Sequence, residues 1–259
     1  MQRIIVPIAL VVSIAALLAF SILPADIWDS FRPATCINDG CFCEASNPHS
    51  AMRQTANTIS SLGFVFSGAL MLAYKRIPAQ RLPTSYSSVM GISCIIIGLG
   101  SAFYHASLTF IGQFLDVFGM FLLAVFMLVY AFERIWTLRL PTTMGLFLTI
   151  NIFLSGLQIA VPDTRRYVFA VVLIVALFFE AYFRRKANPR IDVKPLRLGI
   201  GLMAIAYIIW ILDNTRTLCF ETSLLQGHAI WHLLGAVSVW MLHRYYVSEK
   251  NLNTKVTKV

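Results

Sequence analysis

Hydrophobic positions along this chain gather into eight runs, at roughly residues 4–22, 56–74, 86–106, 112–132, 142–160, 166–183, 196–212 and 222–242. Each is long enough, or nearly so, for an α-helix to cross the roughly 30 Å of hydrocarbon in a bilayer. In lipid only helices and closed barrels satisfy their own backbone polar groups. The links are mostly short and carry turn residues or charge, as in "KRIPAQRLPT", "RLPT", "VPDTRR" and "RRKANPRIDVKP". The pattern predicts an all-α integral membrane protein, a seven-helix transmembrane bundle with one additional N-terminal hydrophobic helix. Four regions follow: an N-terminal segment (1–25), an outer or lumenal loop (26–55), the seven-helix domain (56–242) and a basic cytoplasmic tail (243–259).

The first run, "MQRIIVPIALVVSIAALLAFSILPA", admits two readings: a retained helix or a cleaved signal peptide. Leu23, three residues before a cut ahead of Asp26, fits a small-x-small cleavage site poorly. Either outcome leaves the same loop outside and seven helices behind it.

Composition supports the membrane reading. The 259 residues are 58% hydrophobic and only 13% charged, with a mean hydropathy of +0.73; a soluble chain carries about 25% charged residues. The net charge of +9 raises the question of nucleic acid. Its distribution answers otherwise: with the N-terminus inside, sixteen of the 21 Lys and Arg fall on the inner side, among them Arg3, Lys75, Arg76, Lys255 and Lys258. That asymmetry is what the positive-inside rule produces, and it places both termini in the cytoplasm if the first helix is retained. The five cysteines contain no CxxC pair, which disfavours a thiolate metal site.

Polar residues inside the apolar runs pose the functional question. The stretch "GSAFYHASLTFIGQFLDVFG" carries Ser101, His105 and Asp116, and "QGHAIWHLLG" carries His228 and His232. In this topology all five lie in the outer halves of their helices. Ser101 and His105 are four apart, as are His228 and His232, so each pair shares a helix face. Two imidazoles from one helix and one from another can surround a zinc ion, leaving a fourth position for water, the arrangement of a catalytic site. Asp116 would suit proton transfer, and Ser101 would suit oxyanion stabilisation. A plainer account also exists: histidines bonded to serines, backbone or each other, and Asp116 in a structural ion pair, since a buried carboxylate needs a partner.

The pieces "CEAS", "QTANTISSLGFVFSG", "GLGSAFYHASLTFIGQFLDVFGM", "DNTRTLC" and "GHAIWH", spread over residues 43–232, carry a resemblance. The chain resembles the alkaline ceramidase family, within the wider group that also holds adiponectin-receptor-like proteins and GPI-anchor lipid-remodelling enzymes. The resemblance implies a seven-helix zinc hydrolase with His105, His228 and His232 as ligands, Asp116 as the catalytic carboxylate and Ser101 stabilising the transition state. It implies hydrolysis of the ceramide amide to sphingoid base and fatty acid, by a site open to the outer or lumenal side. It also implies a Cys43–Cys219 disulfide between the outer loop and the loop before the last helix, against free cysteines or pairing through Cys36 or Cys41.

The chain departs from the family in its calcium site. Glu44 matches one of that site's acids, but Cys41 stands where an aspartate is expected and Gln54 where a second glutamate is. Calcium prefers several hard, charged oxygens, so calcium is in doubt; Asp39, Glu44, Asn47 and Asn57 are what remains for a weaker site, with Asn57 alternatively capping a helix. Trp231 reads as an interfacial-belt residue, Gly100, Gly227 and Gly235 as points of close helix contact, and Cys94 as a small inert core residue. Gln113 reads as a partner of Asp116 or an interface cap, and Asp213 as bonding locally to Asn214 or Thr217 or else serving the pocket.

Together these readings predict a zinc-dependent amidohydrolase acting on a ceramide-like lipid in the bilayer, needing no nucleic acid and no obligate protein partner. Two other readings compete: a lipid ester hydrolase of the GPI-remodelling kind, and a receptor or structural bundle in which zinc only clamps helices.

Overall fold

A computed structural model of the protein describes residues 2–74 and 79–250. Lys75, Arg76, Lys255 and Lys258 of the inner basic set, the side chain of Arg3 and residues 251–259 of the tail lie outside the described residues. Eight long helices follow in order: α1 (Gln2–Ile22), α2 (Thr55–Ala73), α3 (Thr84–Ser107), α4 (Phe110–Trp136), α5 (Leu140–Ala160), α6 (Arg165–Ala187), α7 (Lys194–Asn214) and α8 (Gly227–Ser248). Among the described residues there is no strand, only isolated bridges. The protein is an all-α, multi-pass membrane protein.

Seven of the helices, α1 to α7, are long and apolar enough to cross a membrane. Helix α8 is comparable in length, 22 residues or about 33 Å. Its sequence is diluted by His228, His232, Ser238 and His243, all of them buried. Two boundaries move here relative to the apolar pattern. The last helix begins at Gly227 rather than near 222, and it runs through Ser248, so the first residues of the expected tail are helical. The apolar pattern ends at 242 because His243 and Arg244 interrupt it, but His243 is fully buried against Ser87 at 2.7 Å.

Helix α2 packs on α3 and α8, α3 on α4, α4 on α5 and α6, and α7 on α8, while α1 lies against α2. Helices α6 and α7 make no substantial contact with each other. The bundle is therefore closed along α6–α4–α3–α2–α8–α7 and parted between its two ends. Gly100 permits one of the closest approaches: a Cβ there would stand 2.7 Å from the carbonyl oxygen of Leu115. That clearance brings α4 onto α3 at the level of Asp116.

At the end of the bundle away from loop 23–54, a buried polar cluster joins four elements. Arg134 of α4 pairs with Glu180 of α6 and, at 3.1 Å, with Glu249 just past α8; Arg81 reaches Glu249 at 3.3 Å. Tyr245 and Tyr246 donate their hydroxyls to Glu180. A buried charge is tolerated only when paired and hydrogen-bonded, and here each of these charges is.

Candidate metal centre and cavity

Local chain geometry sets the site. Helix α3 ends at Leu108, whose left-handed conformation (φ 50°) turns the chain into α4 within two residues. Thr109 caps α4, its hydroxyl accepting from Gly112 N. The last carbonyls of a helix have no partner within it. Those of α3 are taken up by the loop: Gln54 N donates to His105 O at 3.0 Å, Arg53 N to Ala106 O at 2.9 Å and Ala34 N to Leu108 O at 2.9 Å. The loop thus forms a lid over the helix ends that carry Ser101, His105, Asp116, His228 and His232.

His105, His228 and His232 are all buried, and one ring nitrogen from each lies within 4.8 Å of the others. Among the described residues they form the one such group of three or more His, Cys, Asp or Glu side chains. His105 Nδ1 lies 2.8 Å from Gln54 Oε1. An amide oxygen can only accept, so Nδ1 carries the hydrogen and Nε2 presents a lone pair. His232 Nδ1 lies 2.9 Å from Ser60 Oγ, whose own hydrogen goes to Asn57 O; again Nδ1 donates and Nε2 is left free. His228 Nε2 stands 3.2 Å from His105 Nε2. The Phe42 ring stacks on His228 at 3.8 Å between centroids. The free lone pairs of His105 and His232 turn toward one point with a ring nitrogen of His228 close by, so the donor set fits a metal ion. Outer partners that fix ring tautomers are a regular feature of metal-binding histidines.

Ser101 Oγ lies 3.1 Å from Ser61 Oγ and 3.3 Å from His232 Nε2. Asp116 interacts with Ser101 from α4 and feels the charges of Arg165 and Arg166 at the start of α6. The structure therefore brings all five residues singled out from the sequence into one place. Both Ser101 and Asp116 face a cavity of about 590 Å³ whose lining is overwhelmingly apolar and descends to Met127, Leu177 and Leu242. From His228 to Leu242 the wall of α8 alone runs roughly 21 Å at 1.5 Å per residue.

Other assignments need revision. Asp213 is buried and bonds neither Asn214 nor Thr217: Oδ2 accepts from Cys43 N at 3.1 Å and Oδ1 from His228 N at 3.0 Å. It caps α8 from a different helix and ties the lid to it. Gly227 admits this contact, since a Cβ there would lie 2.9 Å from Asp213 Cβ. Gln113 accepts from Thr35 rather than bonding Asp116. Trp231 lines the cavity beside Tyr207 and Trp210. Asn57 does not cap α2, which starts at Thr55; the carboxylate of Glu44 accepts from Ala56 N and Asn57 N at 2.7 and 2.8 Å. Burial pushes the Glu44 carboxyl upward from its ordinary value, against these backbone donors.

Cys43 and Cys219 form a disulfide, and Cys36 pairs with Cys41, leaving Cys94 free and buried. Asp39 and Asn47 are exposed, apart from the buried Asn57. Sequence reasoning overlooked Ser60, Ser61 and Phe42 as parts of the site. The serines left a signal, two adjacent hydroxyls on the polar first half of α2 where a membrane helix would otherwise be apolar; Phe42 left none, because its position depends on the loop.

Comparison with known proteins places the chain in a family. The sequence model of the family Ceramidase matches residues 40–257. The chain is 27% identical over 214 residues to alkaline ceramidase 1 of Homo sapiens, covering 76% of this chain and 77% of that one. It is 27% identical over 246 residues to the alkaline ceramidase of Drosophila melanogaster, covering 87% and 82%. With Caenorhabditis elegans alkaline ceramidase the identity is 28% over 154 residues, 54% of each chain. A family match over most of the sequence, reaching across all three histidines of the cluster, makes this chain a member of the ceramidase family.

Proposed function

We propose that the protein is a zinc-dependent amidohydrolase that cleaves ceramide or a closely related sphingolipid within the bilayer. The observation that carries this reading is the placement of three convergent imidazoles, a carboxylate and a hydroxyl at the head of a long apolar cavity. Three neutral nitrogen ligands suit zinc over harder cations, and His105, His228 and His232 would hold it. When bound, zinc supplies Lewis acidity and would lower the pKa of a coordinated water to about 7. Asp116 takes the proton from the attacking water and delivers it to the departing amine. The Ser101 hydroxyl donates to the oxygen of the amide carbonyl as charge develops there, a contact worth most in a water-poor site. The apolar shaft accepts a long chain of the substrate, which would otherwise cost roughly 0.8 kcal/mol per CH₂ exposed to water. The gap between α6 and α7 gives such a lipid a way in from the side.

The same reading puts the lid and the site on the extracytoplasmic or lumenal face, with the termini inside. The inner excess of Lys and Arg supports that orientation. So do the two disulfides in the lid, since such bonds persist on oxidising surfaces.

Purified protein in detergent or liposomes, offered ceramides, phosphoinositides and acyl esters, should release fatty acid and sphingoid base from a ceramide. Chelation should abolish turnover and zinc should restore it, with about one zinc per chain by elemental analysis. Ester cleavage without amide cleavage would make it a lipid esterase instead. No turnover across the panel with zinc bound and Asp116 dispensable would leave a receptor or helix clamp.

A further inference from the structure

The residues that the family resemblance assigns to calcium do not fit that ion here, and the misfit has a specific cause. Gln54 is 1% exposed. Its Nε2 donates to two lid carbonyls, Cys41 O at 2.5 Å and Glu44 O at 2.9 Å, while its Oε1 accepts from His105 Nδ1 at 2.8 Å. The two carbonyls fix which end of the amide is nitrogen, because an amide oxygen facing them would be repelled. Both oxygens of Glu44 are turned onto the first turn of α2. Asp39 is exposed, and Asn47, also exposed, accepts from His49 N at 3.0 Å. The lid carbonyls thus converge on an –NH₂ group whose hydrogens carry the positive charge a cation would otherwise bring, and hard anionic oxygens, which calcium needs in number, are not gathered around it.

We propose that the Gln54 carboxamide replaces a calcium ion as the strut between lid and metal centre. It makes this chain calcium-independent, and it acts as a positioning residue that holds His105 in the tautomer with Nε2 free. The second part rests on the zinc reading above; the first does not.

The proposal predicts an opposite response in two forms of the full-length protein in detergent. Wild type, in calcium-depleted buffer and then with millimolar calcium chloride, should show no change in melting temperature. Q54E puts a carboxylate against the two carbonyls and beside Asn57, whose buried Oδ1 has no hydrogen-bond partner. It should melt lower than wild type without calcium and recover when calcium is added. Q54A lacks both the donor and the acceptor; it should melt low in both buffers and hold zinc roughly 10–100-fold more weakly in a chelator competition, the usual cost of losing a histidine's outer partner. Q54E in calcium should retain zinc nearly as wild type does, because its carboxylate still accepts from His105 Nδ1.

A calcium-dependent rise in the melting temperature of wild type would overturn the strut. A Q54E protein that matches wild type without calcium would do the same. If Q54E does not fold in either buffer, the wild-type calcium titration and the Q54A zinc competition decide the matter. Unchanged zinc affinity in Q54A would remove the positioning role and leave calcium independence standing. Absence of zinc from wild type would sink the reading of the metal centre, while the melting data would still test the strut.

Discussion

Asp116 and Ser101 occupy the same few ångströms but owe their presence to different demands. A carboxylate at the head of an apolar cavity is costly unless it has work there, and among the described residues Asp116 has its interaction with Ser101 and the more distant charges of Arg165 and Arg166 but forms no ion pair. Replacing Asp116 with asparagine keeps the shape and removes the proton carrier. Turnover should fall at least about a hundredfold while zinc content stays at wild-type level; loss of zinc instead would mean that Asp116 holds the metal. Ser101→Ala should cost roughly a hundredfold in kcat with KM little changed, as expected for a donor used in the transition state. An equal rise in KM alone would place Ser101 in ground-state binding. These roles could be suggested from sequence because residue types and four-residue spacings survive in one dimension. The ring tautomers could not, since they depend on Gln54 and Ser60, partners distant in the chain or buried in another helix.

At the scale of elements, α8 carries two of the three metal-binding candidates and depends on help from outside itself. Its N-terminus has no side-chain cap of its own, and Asp213 at the end of α7 supplies one while also holding Cys43 N. Asp213→Ala should therefore lower stability by about 1–2 kcal/mol, the range for a lost cap, and should weaken zinc binding through the displaced start of α8. Thermal melting beside a zinc assay would check both; wild-type values for each would remove Asp213 from the site's support. The helices themselves were legible as apolar runs to within a few residues, because lipid demands length and continuity. The end of α8 was not, because the burial of His243 is a tertiary contact that hydropathy cannot register. The partners of Asp213 were not legible for the same reason: they lie 15 and 170 residues away.

The whole molecule is polarised, with the histidine cluster under the lid and an ion-paired lock at the other end. Arg134 joins α4 to α6 and to the end of α8 through Glu180 and Glu249. Arg134→Ala leaves two carboxylates buried without their cation and should cost about 3–5 kcal/mol, as broken buried pairs do; an unchanged denaturation midpoint would show the lock to be dispensable. Between the two ends runs the shaft, with Ala170 of α6 in its wall. Ala170→Phe should lower kcat/KM for long-chain ceramides at least about tenfold, the order that a few lost apolar contacts produce, and spare short-chain ones; equal loss on both would mean the shaft does not read chain length. The amino-acid sequence by itself determined the eight helices, the uneven spread of its basic residues over the loops and the five polar side chains worth placing, since each is a local property of composition and period. Only the tertiary structure decided that those five come together, that α6 and α7 stay apart, that Cys36 pairs with Cys41, and that an amide nitrogen sits where the lid carbonyls converge. Those outcomes depend on distances between segments far apart in the chain, and such distances are set by packing once the helices have already formed.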